Sequence, residues 1–184
     1  MFKILIIFFM LNFYGPVLSS TKEKIISQMK FANNLSFNFV QSINDKKENG
    51  KCIIEYPKKI WCEYDNSNKK IIVSNGKSLV IKNRNSGSYY IYPLKKTPLE
   101  FLLNKEYLIS KLNIVELREI DDKYLNFKFF ENNNEINVFF DMKSLNLIGW
   151  QTEDIYQNLV ITFISSVKIN QKIDNKIFIL PKND

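Results

Sequence analysis

A chain of 184 residues with 26 Lys and Arg against 19 Asp and Glu, and with no histidine, leaves few catalytic options. Without histidine, Ser/His/Asp and Cys/His chemistry is excluded and the commonest zinc ligand is missing. The excess of positive charge is scattered as single lysines. Nucleic-acid binding calls for a basic stripe interleaved with stacking aromatics, so it is set aside; a basic surface near anionic lipid headgroups stays open.

The N-terminus reads as a processing segment. Lys3 supplies a positive start, Ile4 to Phe13 forms an apolar run, and small residues follow at Ser19 and Ser20. That run is shorter than the ~20 residues a membrane span needs and fits a signal peptide over 1–20. A signal anchor is the bland alternative. No cysteine stands near the cut site for acylation. The remainder, 21–184, is long enough for one domain with a core.

Thr21 to about Phe31 carries Ile25, Ile26 and Met29 at helical spacing, with Ser20 or Thr21 as N-cap. Leu35, Phe37, Phe39 and Gln41 alternate with polar residues as a strand, and a polar loop over 44–49 leads to Gly50. Two strands then fold about Pro57. A three-residue turn, Tyr56-Pro57-Lys58, pairs Glu55 with Lys59, Ile54 with Ile60, Ile53 with Trp61, and Cys52 with Cys62. Alternation puts both sulfurs on one side, and a non-hydrogen-bonded position brings them within reach. A structural disulfide is expected in an oxidising compartment, a free thiol pair being the alternative. No C-x-x-C spacing points to redox catalysis.

Lys70 to Ser74 and Ser78 to Lys82 are joined at Asn75-Gly76, a tight-hairpin signal. Arg84 to Gly87 is a turn, and Tyr89 to Leu94 a strand. Thr97-Pro98-Leu99-Glu100 has the order of a capping box with proline at the first helical position. The helix it opens carries Leu99, Phe101, Leu102 and Leu103, apolar on most of its surface, which implies contact with apolar material on more than one side. Strands follow over 112–120, 124–130, 136–141, 147–152, 159–168 and 177–180. Roughly ten strands with polar turns, beside two or three short helices, suggest a mainly β fold, an antiparallel sandwich or barrel. Asp121-Asp122 and Glu153-Asp154 are the only adjacent acidic pairs. Both sit at expected turns and read as solvated turn residues.

These pieces in this order resemble the periplasmic lipoprotein carrier family, LolA. The matching elements are Phe37-Asn38-Phe39-Val40-Gln41, the Gly50 strand, the Pro57 hairpin ending in Glu63-Tyr64, Asn75-Gly76-Lys77, Pro93-Leu94 and Thr97-Pro98-Leu99. Gly149-Trp150, Asp154, Gln157-Asn158 and the segment from Phe178 to Pro181 follow. The resemblance spans about Thr21 to Pro181. It implies a fold that is mainly β with an α lid: a half-open, unclosed antiparallel β-barrel of about 10–11 strands covered by short helices. It also implies a monomeric periplasmic chaperone that takes acylated lipoproteins from an inner-membrane ABC transporter and delivers them to an outer-membrane lipoprotein receptor. No cofactor, metal or catalytic residue is implied.

On that reading the apolar cavity is expected at Leu35, Phe37, Phe39, Ile54, Ile60 and Tyr64 of the sheet and Leu99, Phe101, Leu102 and Leu103 of the lid. The family often has Arg before the hairpin proline, where it holds the lid. Here Tyr56 stands there, a candidate latch with one hydroxyl in place of five donors. Cys62 stands where the family usually has Trp. The competing readings are a lipid- or glycolipid-binding or envelope-stress-sensing module of the same fold, and a lipid enzyme, for which no nucleophile–base pair is visible.

Overall fold

The computed structural model describes residues 15–44, 46–66, 68–132, 134–154 and 156–183. The apolar run from Ile4 to Phe13 lies outside them. Helix α1 spans Gly15–Phe31. Strands β1 Asn34–Ile43, β2 Lys46–Glu55, β3 Lys59–Tyr64, β4 Lys70–Asn75, β5 Ser78–Asn83 and β6 Tyr89–Pro93 follow. A 3-10 turn over Leu94–Lys96 leads into α2 Leu99–Leu103 and α3 Lys105–Ile114. Strands β7 Leu117–Ile120, β8 Tyr124–Glu131, β9 Asn134–Asp141, β10 Leu147–Glu153 and β11 Leu159–Ile169 complete the sheet, and a second 3-10 turn covers Asn175–Phe178.

The eleven strands form one antiparallel sheet in the order β6-β5-β4-β3-β2-β1-β11-β10-β9-β8-β7. Its two ends, β6 and β7, are not paired with one another, so the barrel is unclosed. The segment between these edge strands is the one that folds into α2 and α3. The sheet curls around a core shared with all three helices. Leu35, Phe37 and Phe39 of β1 meet Ile25 of α1, Leu102 and Leu103 of α2, and Leu108 and Leu112 of α3. Period-2 alternation decides the inner face: β3 alternates half-buried and buried from Lys59 to Tyr64.

The register of the β2–β3 hairpin follows the sequence expectation pair by pair, from Glu55–Lys59 to Cys52–Cys62. The disulfide is formed, with its Cα atoms 4.1 Å apart and both cysteines buried inside the barrel. Gly50 lies opposite Phe39 on the neighbouring strand. A Cβ there would stand 2.2 Å from the Glu63 carbonyl and 2.7 Å from the Phe39 ring, so only glycine lets that ring lie flat on the strand.

Several local expectations are corrected. Helix α1 is already formed at Gly15, so Ser20 and Thr21 lie within it and do not cap it. The 44–49 loop shrinks, because β2 already starts at Lys46 and pairs with Ile43. In the next hairpin Ser74 pairs with Leu79, which puts Gly76 and Lys77 at the tip. Gly76 carries the positive φ, +94°, while the Asn75 side-chain carbonyl accepts from the N–H groups of Lys77 and Ser78. The Thr97 hydroxyl donates to the Leu94 carbonyl at 2.8 Å, closing the preceding 3-10 turn, so no capping box forms on α2. Residues 105–114, whose last three read as strand, are helical throughout. Asn104 Oδ1 accepts from the Tyr107 N–H, and Leu108, Ile109 and Leu112 bury one face. No strand forms over 177–180: Ile177 and Phe178 end the 3-10 turn, which packs on β3 and β4, and Ile179 and Leu180 follow it.

Candidate functional site

A cavity of about 360 Å³ opens between the sheet and the start of α2. Its floor is the far half of the inner face: Gln41 and Ile43 of β1, Tyr64 of β3, Lys70 and Ile72 of β4, and Leu79 and Ile81 of β5. Tyr90 and Tyr92 of the edge strand β6 form one wall. Trp150 and Thr152 of β10, Val160 of β11 and Tyr156 of the β10–β11 turn form the other, and Thr97, Pro98 and Leu99 close the inner end. The lining is mostly aliphatic and aromatic. The Glu153 and Asp154 carboxylates stand at its rim, and the polar groups of its floor are tied to one another. The Tyr64 hydroxyl donates to Gln41 Oε1 at 3.0 Å, and Gln41 Nε2 donates to Thr162 Oγ1 at 3.0 Å. Lys70 pairs with Glu48 and holds its ammonium 3.8 Å from the centre of the Tyr64 ring. Burial, with the Glu48 carboxylate adding to it, pushes the Tyr64 phenol well above its ordinary range. A floor whose donors are satisfied internally presents ring faces and methylenes to a guest.

The expected cavity residues divide four ways. Tyr64 and Leu99 line the cavity. Phe37, Phe39, Ile54, Ile60, Leu102 and Leu103 are buried in the packed core, where the lid side chains already fill the space. Leu35 joins Ile25, Met29, Tyr56 and Phe140 around a second recess of about 230 Å³ beneath α1. Phe101 turns away to stack near Tyr107, with ring centres 5.4 Å apart. The strands β5 and β6 supply residues the sequence reading passed over, although the tight Gly76 turn and period-2 alternation place Leu79, Ile81, Tyr90 and Tyr92 on one face.

The lid is held at the hairpin tip, from Lys58, two residues beyond the expected Tyr56. The Lys58 N–H donates to the Leu103 carbonyl at 2.8 Å, and its ammonium pairs with Glu100 at 2.5 Å. Ser74 steadies that tip by donating to the Lys58 carbonyl at 3.0 Å. Tyr56 meets the lid through its ring, with the Lys105 ammonium 5.7 Å from its centre, and burial raises its phenol to about 12. Lys105 in turn donates to the carbonyls of Lys30 and Ala32, joining α3 to the end of α1.

Among the described residues no helix is long and apolar enough to cross a membrane. A search of the curated proteins finds no match. Among solved structures, an uncharacterized conserved protein from Thermus thermophilus superposes with a TM-score of 0.52 at 7% identity, covering 90% of this chain and 95% of that one. That likeness is one of fold. A LolA superfamily protein from Nitrosomonas europaea aligns at 10% identity and TM-score 0.46, covering 88% and 96% of the two chains. The MucA/MucB complex of Pseudomonas aeruginosa aligns at 9% identity and TM-score 0.46, covering 88% of this chain and 61% of that one. The family model described as outer membrane lipoprotein carrier protein LolA matches residues 30–180, from the end of α1 to the C-terminal turn. An unclosed eleven-stranded sheet, a helical lid between its free edges and that match lead to one conclusion: the chain belongs to the LolA family.

Proposed function

We propose that this protein is a periplasmic chaperone for lipoproteins. Residues 1–20 direct export and are removed, and the single domain over 21–184 shelters acyl chains between the inner and outer membranes. Cargo comes from a lipoprotein-releasing ABC transporter of the inner membrane and passes to an outer-membrane receptor. The observation that carries this reading is the aromatic- and aliphatic-lined cavity between the unclosed sheet and α2. Each methylene taken from a membrane costs ~0.8 kcal/mol, so a long acyl chain leaves a bilayer only for a comparably apolar surface. At about 360 Å³ the cavity lies at the low end of small-ligand sites, which run to roughly 1,000 Å³. Loading a lipoprotein therefore displaces α2, and the ties from Lys58 set the cost of that movement.

Native purification of the mature chain from the periplasm, followed by mass spectrometry of what travels with it, tests the reading. Stoichiometric acylated lipoprotein, released on addition of an outer-membrane receptor, is the expected result. Free phospholipid or glycolipid would keep the cavity and replace the cargo. An empty protein that also takes up no lipoprotein from inner-membrane vesicles would overturn the proposal.

A further inference from the structure

The convex face of the sheet is covered unevenly. Over β3 and β4 lies the C-terminal turn, which buries Phe178 and, beneath it, Ile71 and Val73. Over β7 to β9 runs a polar ladder in which Arg118 reaches Asn126, Asn126 reaches Asn137, and Asn137 donates to Glu135. Between the two, β1, β11 and β10 are bare. There Val40 pairs with Phe163, Phe163 with Gly149, and Gly149 with Phe139, in one row across four strands. Val40 and Phe163 are each 45% exposed. A Cβ on Gly149 would stand 3.2 Å from the Phe163 ring. The glycine lets the rings of Phe139 and Phe163 meet over β10, with centres 6.2 Å apart and planes 29° from parallel. Outward residues of β11 extend the strip through Ile161 to Leu159, itself 46% exposed. Leu159 directly follows the turn whose Tyr156 lines the mouth of the cavity. The apolar strip is thus continuous with the cavity entrance.

Cations flank it. On the same outer face Lys47 pairs with Ser42 and Lys51 with Asn38, while Lys168 pairs with Ser36. Lys51 is engaged by Glu63 at 3.0 Å; Lys47 and Lys168 form no ion pair among the described residues. An apolar centre with lysines beside it, on a chain of net charge +7, has the chemistry of an interfacial membrane binder. A folded acidic partner must match the spacing of two lysines that flank β1 at opposite ends, beside Ser42 and Ser36, whereas a fluid anionic surface meets them at any spacing. We infer that the Val40–Phe163–Leu159 strip docks on anionic lipid headgroups, which sets the cavity mouth at the level where acyl chains begin.

The test uses sedimentation of the mature chain with vesicles that mix phosphatidylglycerol and phosphatidylcholine, and with pure phosphatidylcholine. Expected are binding to the anionic vesicles only, reversal by salt, and a loss of roughly tenfold or more in Lys47→Glu/Lys168→Glu and in Phe163→Ser. Lys95→Glu/Lys96→Glu, the same charge change on the lid side, is expected to keep most of the binding. Melting by circular dichroism and uptake of a fluorescent fatty acid should match wild type in the two lysine pairs. Equal losses in both lysine pairs, no preference for phosphatidylglycerol, or a self-associated species dissolved by Phe163→Ser would each overturn the inference. Normal fatty-acid uptake beside absent vesicle binding would overturn the docking surface alone and leave the cavity reading standing.

Discussion

Lys58 ties the tip of the β2–β3 hairpin to the lid twice, by its N–H to the Leu103 carbonyl at 2.8 Å and by its ammonium to Glu100. The backbone tie survives any side chain at that position except proline. The ion pair does not. Glu100→Gln removes only the charge, from a pair about a quarter exposed on average, so the loss is about 0.5–1 kcal/mol. Acyl-ligand dissociation should quicken about two- to fivefold with little change in Tm, as stopped-flow release of a fluorescent fatty acid would show. An unchanged release rate would mean that the lid does not limit exit.

The disulfide fastens the two strands that carry this tip. Cys52 and Cys62 are ten residues apart and close a short loop, for which the chain-entropy model gives about 2–3 kcal/mol. Cys52→Ala/Cys62→Ala is expected to lower the unfolding free energy by that amount, read from the shift of the urea midpoint. Reductant should shift wild type toward the variant and leave the variant unmoved.

Core and cavity make opposite demands on the same apolar residue types. Ile54 is packed beneath the lid, so Ile54→Ala should cost about 2–5 kcal/mol of stability. Leu99 borders open space, so Leu99→Gln should weaken fatty-acid binding severalfold while Tm moves little. Calorimetric melting and ligand titration on both variants check this. If Leu99→Gln binds normally, the cavity described above is not where the chain goes.

Stability should fall at both ends of the pH scale, for different groups. The Tyr56 phenol is raised by burial from 10.0 to about 12. The folded protein therefore resists ionisation that the unfolded chain accepts. This contribution is whole below pH 10 and lost as pH climbs toward 12, by roughly 2–3 kcal/mol. Tyr56→Phe should flatten that alkaline limb in urea melts. On the acid side, the Tyr107 hydroxyl and the Lys111 ammonium hold the Glu131 carboxyl below its ordinary value. Its contribution is present above the ordinary carboxylate range and disappears as pH falls below it, so Glu131→Gln should flatten the acid limb.

The sequence makes the sheet's faces legible far better than its depth. Around Pro57 a three-residue turn and strict alternation determine every pair down to the disulfide, because a register slip would turn Ile54, Ile60 and both cysteines to solvent. The helix at 105–114 escapes such a reading because Leu112 and Ile114 also alternate as in a strand. Asn104 capping and the joint burial of Leu108, Ile109 and Leu112 against the sheet decide for helix. The cavity residues are only half legible for a related reason. Phe37 and Tyr64 both point inward, but lid side chains fill the barrel near Phe37 and leave it open near Tyr64. Alternation tells which way a side chain points and nothing about what arrives from a helix distant in sequence.

The free edges of β6 and β7 have a mechanical consequence. In a closed barrel the strand number and stagger fix the diameter, and widening it means breaking backbone hydrogen bonds. Here the sheet ends without meeting itself, and only the segment of α2 and α3 joins its two margins. The curl can relax like an opening hand, each strand keeping its neighbours, while resistance comes from the side chains packed under the helices and from the ties of Lys58 to the lid. The girth of the interior is therefore an adjustable quantity, set by its occupant and not by the ladder of the sheet.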